Sequence, residues 1–354
     1  MLFRSLEANQ RFGLVNALRV PYGLLTFLGP LAALPFSRSL VPAVSVLTAG
    51  RVILFVAHLV ACVRVAPTLA TVSWNRAFVR PLVTFGGWMT VSNVIAPLMN
   101  TLDRFIIGAA MSISLVTYYA TPHELVTKMW LFTAALLPVF FPAFTTSAAT
   151  DPGRTAALFD RVLRTTFAAL FLPTFTLALL SREILSLWLG ASFATESATV
   201  MQVLAIAIFV NTLGQCALTL IQALGRPDLT GKYHLAELPL YAALLWWLLP
   251  RYGIVGVAFA WAIRAMLDSV LLLLTCPRLL PDARQPVQRI LLWSCLALPL
   301  LIGVALLPTS TVRVWTLVFA VPLWTVVAWW RILTPVERSA PMRVWSVAFA
   351  KESS

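Results

Sequence analysis

The stretch TVMQVLAIAIFVNTLGQCALTLIQ, residues 199–222, runs 24 residues without a charged side chain. As a helix it rises about 36 Å, enough to cross the hydrocarbon core of a bilayer. It offers no solvated face to a soluble fold. Working outward, comparable stretches fall at 14–36, 42–63, 86–110, 116–145, 160–181, 235–250, 253–275, 289–307 and 313–332. The sequence therefore predicts an all-α polytopic membrane protein with about ten transmembrane helices. Composition agrees: 60% of the 354 residues are hydrophobic and 11% charged, too few charges to coat a soluble surface of this size.

The net charge is +13. In a soluble chain that would suggest nucleic acid as a partner, but the placement of the cations excludes it. Eighteen Lys and Arg lie in alternate connections on one side of the predicted spans, against four (Arg38, Arg182, Arg251, Arg313) on the other. This is the positive-inside bias, and it predicts that both termini are cytoplasmic. Four further cations, Arg51, Arg104, Lys128 and Arg264, fall inside predicted spans.

Several function classes find no support. There is no GxxxxGK[ST] and no GxGxxG, so no nucleotide site is predicted. The histidines, His58, His123 and His234, are scattered, and no Ser/His/Asp set is evident from the sequence. Cys62, Cys216, Cys276 and Cys295 lie in or at the ends of apolar spans without a CxxC, which argues against a disulfide or metal site. No cofactor, metal or catalytic residue is expected. The start, LFRSLEANQRF (2–12), is polar and the apolar run after it is too long for a signal peptide. The thirteen Trp are expected mostly at span ends, in interfacial belts. Prolines inside spans, notably Pro97, Pro138 and Pro142, read either as ordinary packing or as kinks that let helices bend between two states.

Residues 85–145 carry FGGWMTVSNVIAPLMNTLDRFIIG, then YYATPHELVTK, then LLPVFFPAFT. This pattern resembles the polysaccharide flippase branch of the multidrug/oligosaccharidyl-lipid/polysaccharide exporter superfamily. IQALGRPDLTGKYHLAELPLYAALLWWLLPRYGIVGVAFAWAIR, residues 221–264, is similar to the same family. The family folds as two six-helix lobes in a V, sometimes with an extra C-terminal pair. The resemblance implies a partial first lobe at 1–64 with two helices and a cytoplasmic amphipathic connector at 65–85. It implies a six-helix second lobe at 86–275, a cytoplasmic loop at 276–288, an extra pair at 289–332 and a cytoplasmic tail at 333–354. It also implies that about four helices of the first lobe are missing, through a start codon placed downstream or a gene remnant. The implied function is translocation of a polyprenyl-pyrophosphate-linked oligosaccharide across the bacterial inner membrane, for lipopolysaccharide or exopolysaccharide synthesis. The implied partners are that lipid, the bilayer and polysaccharide polymerase machinery, with no nucleic acid. The alternatives are a drug or cation antiporter of the same superfamily, a membrane glycosyltransferase or ligase, and an inactive remnant. The longest outside loop, 182–198, is small for a glycosyltransferase.

A charge at mid-bilayer costs about 2.5–3.5 kcal/mol on insertion scales, so it needs a partner or a wet cavity. Asp103 and Lys128 lie at similar depths on consecutive spans, which predicts either an ion pair or an ion-coupling site on the cavity wall. Arg264 and Asp268 are four apart and share a helix face, which predicts a bridge between them. Asp268 joins Asp103 as an ion-coupling candidate. Glu124 and Lys128 are spaced for an i,i+4 pair. Glu237 is read as a local anchor for Lys232 or Arg226. Arg51 has no acid nearby in sequence and is read either as a ligand for the substrate's pyrophosphate or as a partner of a first-lobe helix. The candidate substrate-binding cations are Arg51, Arg264, Lys128 and Arg104. Four buried cations against two acids, Asp103 and Asp268, favour an anionic cargo.

Overall fold

The computed structural model describes residues 12–33, 40–65, 76–307, 310–332 and 334. The polar segment before Phe12, the centre of the connector (66–75) and the tail from 335 on lie outside the described residues. Every regular element among them is helical, and nine stretches are long and apolar enough to cross a membrane.

The chain divides into two compact units, residues 1–80 and 81–354. The first holds α1 (Phe12–Ala33) and α2 (Leu40–Val65). These pack through Val15 against Ala61 and Cys62, and Arg51 Nε donates to the Tyr22 hydroxyl at 3.1 Å.

The second unit is built from α3 (Arg76–Ala110, from Pro81 on), α4 (Ile113–Thr127), α5 (Trp130–Ala148), α6 (Pro152–Leu179), α7 (Ser181–Leu189), α8 (Ala191–Ala223), α9 (Pro227–Leu279), α10 (Arg284–Ala305) and α11 (Ser310–Val327). Local chemistry sets the helix starts. Ser112 caps α4 by accepting the Leu115 N–H, and Asp151 caps α6 by accepting the Arg154 N–H, with Pro152 at the first helical position. α8 contains the stretch 199–222 and is the centre of the unit, with 89% of its most apolar window buried. The expected outside loop at 182–198 is instead the short helix α7 and the first turns of α8. On α7, Leu185 is buried while Leu187 and Trp188 face outward.

α9 is 53 residues long, about 80 Å if straight. It is not straight. Gly253 adopts φ 56°, ψ −140°, a left-handed conformation that suits glycine, and the chain folds back there. Glu237 meets Arg264, Tyr233 meets Thr275 and His234 meets Asp268, all pairs centred near 251–254. α9 is thus a helical hairpin with arms at 227–252 and 254–279, so the two spans expected at 235–250 and 253–275 are both present. The first arm starts at Pro227, eight residues earlier than the sequence suggested.

The α10–α11 pair docks on α6. The Trp324 ring stacks on Phe171 at 3.9 Å and its indole N–H donates to the Ala168 carbonyl. At one end, Asp160 on α6 accepts from Arg164 at 2.8 Å and from Arg289 on α10, while Arg164 Nη1 donates to the Ile332 carbonyl at 2.7 Å. At the other end Arg313 Nη1 holds both Glu183 oxygens at 3.2 Å. Asp160→Ala removes the shared acceptor of two arginines, and charged hydrogen bonds of this kind contribute about 1.5–3 kcal/mol. We expect that variant to unfold at a lower temperature in detergent and to expose α10 and α11 to protease first. An unchanged protease pattern would show that aromatic stacking alone holds the pair.

Candidate functional site

The second unit carries charge in its interior. Asp103 on α3, Glu237 on the first arm of α9, and Arg264 and Asp268 on the second arm are all at most 6% exposed. Arg264 Nη1 stands 3.6 Å from Glu237 Oε2, and its guanidinium lies over the rings of Trp261 at 5.4 Å and Tyr241 at 5.6 Å. The same charge acts on Asp103. Glu237 is thus in direct contact with the guanidinium, Asp103 is within its electrostatic reach, and Asp268 is buried on the same arm. Both Glu237 oxygens, Asp268 Oδ1, Arg264 Nε and the Tyr241 hydroxyl lack a hydrogen-bond partner within the protein. Buried polar groups without partners are rare and mark strain or function.

Two polar chains extend from this cluster. On one side His234 Nε2 faces Asp268 Oδ1 at 3.8 Å, and His234 Nδ1 bonds the Ser92 hydroxyl at 2.7 Å. On the other, the Tyr119 hydroxyl donates to Asp103 Oδ2 at 2.5 Å, while Asp103 Oδ1 accepts the Arg104 N–H. From Asp103 the network reaches the surface. Arg104 Nη1 donates to Glu124 Oε1 at 3.2 Å and its Nη2 lies 3.3 Å from His123 Nδ1. His123 is held between the rings of Tyr119 and Trp261. Helix geometry explains the layout, since Tyr119 and His123 are four apart and share one face of α4.

Ser92, His234 and Asp268 do form a Ser–His–Asp sequence of contacts that the primary sequence hid. It is not arranged for nucleophilic catalysis. Ser92 lies mid-helix, where backbone N–H groups are committed to the helix and none is free to stabilise an oxyanion.

Several pairings expected from the sequence are corrected. Asp103 does not meet Lys128: its partner is Tyr119, and Lys128 is exposed and makes no ion pair among the described residues. Glu124 pairs with Arg104 rather than with Lys128. The ion pair of Arg264 is with Glu237, and Asp268 turns to His234. Glu237 is no surface anchor; Arg226 and Lys232 both bind Asp228 instead. With Glu237 inside, the interior holds more acids than guanidinium groups, so buried charge no longer argues for an anionic cargo. That argument passes to half-buried Arg104 and exposed Lys128. Arg51, in the first unit, is exposed and bonded to Tyr22. Trp261 is fully buried rather than interfacial, and its N–H donates to Asn100, whereas Trp246 and Trp247 are exposed. A separate cavity of about 270 Å³, lined by residues including Phe171, Trp293, Leu300 and Trp324, shares no residue with the charge cluster. Cys216 and Cys276 are buried free thiols, and Cys295 is an exposed one.

The polysaccharide biosynthesis protein family matches residues 39–198. A relative from Shigella flexneri, named "Putative O-antigen transporter", is 32% identical over 271 residues, which cover 75% of this chain and 63% of the relative. The chain thus spans less than two thirds of the relative's length. No solved structure matches it. Helices α2 to α7 lie within the family match, and the relative's similarity extends over most of the chain. The chain is therefore similar to polysaccharide biosynthesis proteins over residues 39–198 and to a relative named as an O-antigen transporter over most of its length, and its apolar helices make it a multi-pass membrane protein.

Proposed function

We propose that this chain takes part in moving a polyprenyl-pyrophosphate-linked oligosaccharide from the cytoplasmic to the periplasmic leaflet of the bacterial inner membrane, with both termini cytoplasmic. The single observation that carries the reading is a charged network running from a buried core to the surface of a membrane-spanning unit. It supports transport because charge at that depth is retained for ligand or ion passage rather than for stability. No bond of the cargo changes. Arg104 and Lys128, on neighbouring helices and open to ligand, neutralise the pyrophosphate; Arg51 is a further candidate in the first unit. Arg264 serves instead as counter-ion to Asp103, Glu237 and Asp268. These three carboxylates and His234 are where a coupling proton or cation is exchanged. The elongated repeat unit then passes to polymerase machinery on the far side.

Asp103 separates coupling from scaffolding. Asp103→Asn keeps the shape and one acceptor oxygen, with its amide able to donate to the Tyr119 hydroxyl, but cannot exchange a proton. Transport is expected to be lost in Asp103→Asn as fully as in Asp103→Ala. Wild-type transport in the Asn variant would make Asp103 a structural group.

The acid-rich interior gives one alternative some support: a cation or drug antiporter. Cells lacking the gene decide between them. Accumulation of a complete lipid-linked repeat unit, shielded from an external glycosidase and cleared when the 354-residue chain is restored, supports the flippase. Drug sensitivity without such accumulation supports the antiporter.

A further inference from the structure

The Arg104 contacts are unequal. On one side is His123, buried and wedged between Tyr119 and Trp261, with ring centroids 5.8 and 5.7 Å away. On the other is Glu124, whose side chain is 61% exposed and which gives Arg104 a single oxygen at 3.2 Å. A guanidinium offers five N–H donors in a fork suited to two-point recognition of a phosphate or carboxylate. Glu124 uses one corner of that fork. Lys128 follows one turn later on the same face of the helix, exposed and without an ion pair among the described residues. An exposed carboxylate thus meets one cation through a single oxygen, with a second cation one turn further along its helix.

We propose that Glu124 is an internal competitor that occupies the anion site of Arg104 and Lys128 when no ligand is present and is displaced by the diphosphate group of a bound lipid. The inference rests on the reading that an anionic headgroup binds at Arg104. A diphosphate presents several oxygens to the fork and one more to Lys128, so it outcompetes a single-point carboxylate. Once the diphosphate leaves, Glu124 returns to Arg104 and closes the site. Glu124 therefore weakens binding and speeds release, which a carrier needs more than tight capture. His123 keeps the Arg104 guanidinium aimed throughout.

The test is titration of the purified full chain in lipid nanodiscs with farnesyl pyrophosphate, with farnesol and inorganic pyrophosphate as separate arms, on wild type, Glu124→Gln and Arg104→Gln. Glutamine has the same size but no charge, and removing one exposed charge beside an anion changes affinity by up to roughly fivefold. The expected result is farnesyl pyrophosphate binding that tightens by that factor in Glu124→Gln, with slower dissociation, and is lost in Arg104→Gln. Binding of inorganic pyrophosphate with the same pattern would identify a site for the diphosphate alone; dependence on the prenyl chain would identify a lipid site. Wild-type binding lost in Arg104→Gln but unchanged or weakened in Glu124→Gln overturns the competitor while leaving the headgroup reading standing. Equal binding in wild type and Arg104→Gln, or none in any form, overturns that reading and the competitor with it. Elution of each variant at the wild-type position on size exclusion confirms that fold is not the cause.

Discussion

Arg264→Met is expected to unfold far more readily than the wild-type protein, with about 3–5 kcal/mol of stability lost. The guanidinium is 4% exposed and faces Glu237 at 3.6 Å, with Asp103 in electrostatic reach. Removing it strands Glu237, whose two oxygens have no hydrogen-bond donor to replace it, and breaking a buried pair from one side costs far more than the pair itself contributes. The double variant Arg264→Met/Glu237→Leu is expected to recover at least half of the loss. It leaves Asp268 facing His234 and Asp103 beside Arg104 and Tyr119. Thermal unfolding in detergent measures both. A double variant as unstable as the single one would show that the packing of Arg264 on Trp261 and Tyr241, rather than its charge, holds the hairpin. Transport separates the two roles further: a double variant that folds but does not transport marks the pair as functional.

The second large effect is steric. Gly214 on α8 lies so close to the second arm of α9 that a Cβ built there would be 2.5 Å from Ser269 Oγ and 2.8 Å from Ser269 Cα. The serine hydroxyl can rotate away, but the Cα cannot. Small residues permit such close helix contact inside membranes. Gly214→Val is expected to push the two helices apart and cost about 3 kcal/mol, with Gly214→Ala costing less. Unfolding midpoints that fall in the order Gly, Ala, Val check this. A valine variant as stable as wild type would show that α8 and α9 slide past one another freely.

Much of the fold was legible in the sequence because apolar length fixes membrane crossings directly. The hairpin at Gly253 is an example: predicted spans at 235–250 and 253–275 bracket the turn that the structure shows. The site was less legible, for a geometric reason. Depth along one helix follows from residue counting, but the match between helices and the direction a side chain faces depend on packing. Asp103 meets Tyr119, nine residues or about 13.5 Å before Lys128 along α4, and Lys128 itself is exposed, so the expected match in depth does not hold. Arg264 and Asp268 do share a face, yet each turns to a different residue of the opposite arm. Glu237 was missed because the span was started at 235. The helix begins at Pro227, so Glu237 sits ten residues, about 15 Å, inside it. The ALGRPD segment carried that signal, since proline favours a first helical turn. Nothing in the sequence links Ser92 to His234, which are 142 positions apart.

The most direct test of the account is a leaflet assay in proteoliposomes. A polyprenyl-pyrophosphate-linked oligosaccharide is incorporated in both leaflets, and the fraction cleaved by an externally added glycosidase is followed with and without the purified chain. Without protein about half of the lipid is protected. The account predicts that the wild-type chain carries the protected half outward, so that cleavage approaches completion, and that Arg104→Gln leaves it protected. Protection that persists with correctly folded wild-type protein would contradict the claim that this chain translocates the lipid.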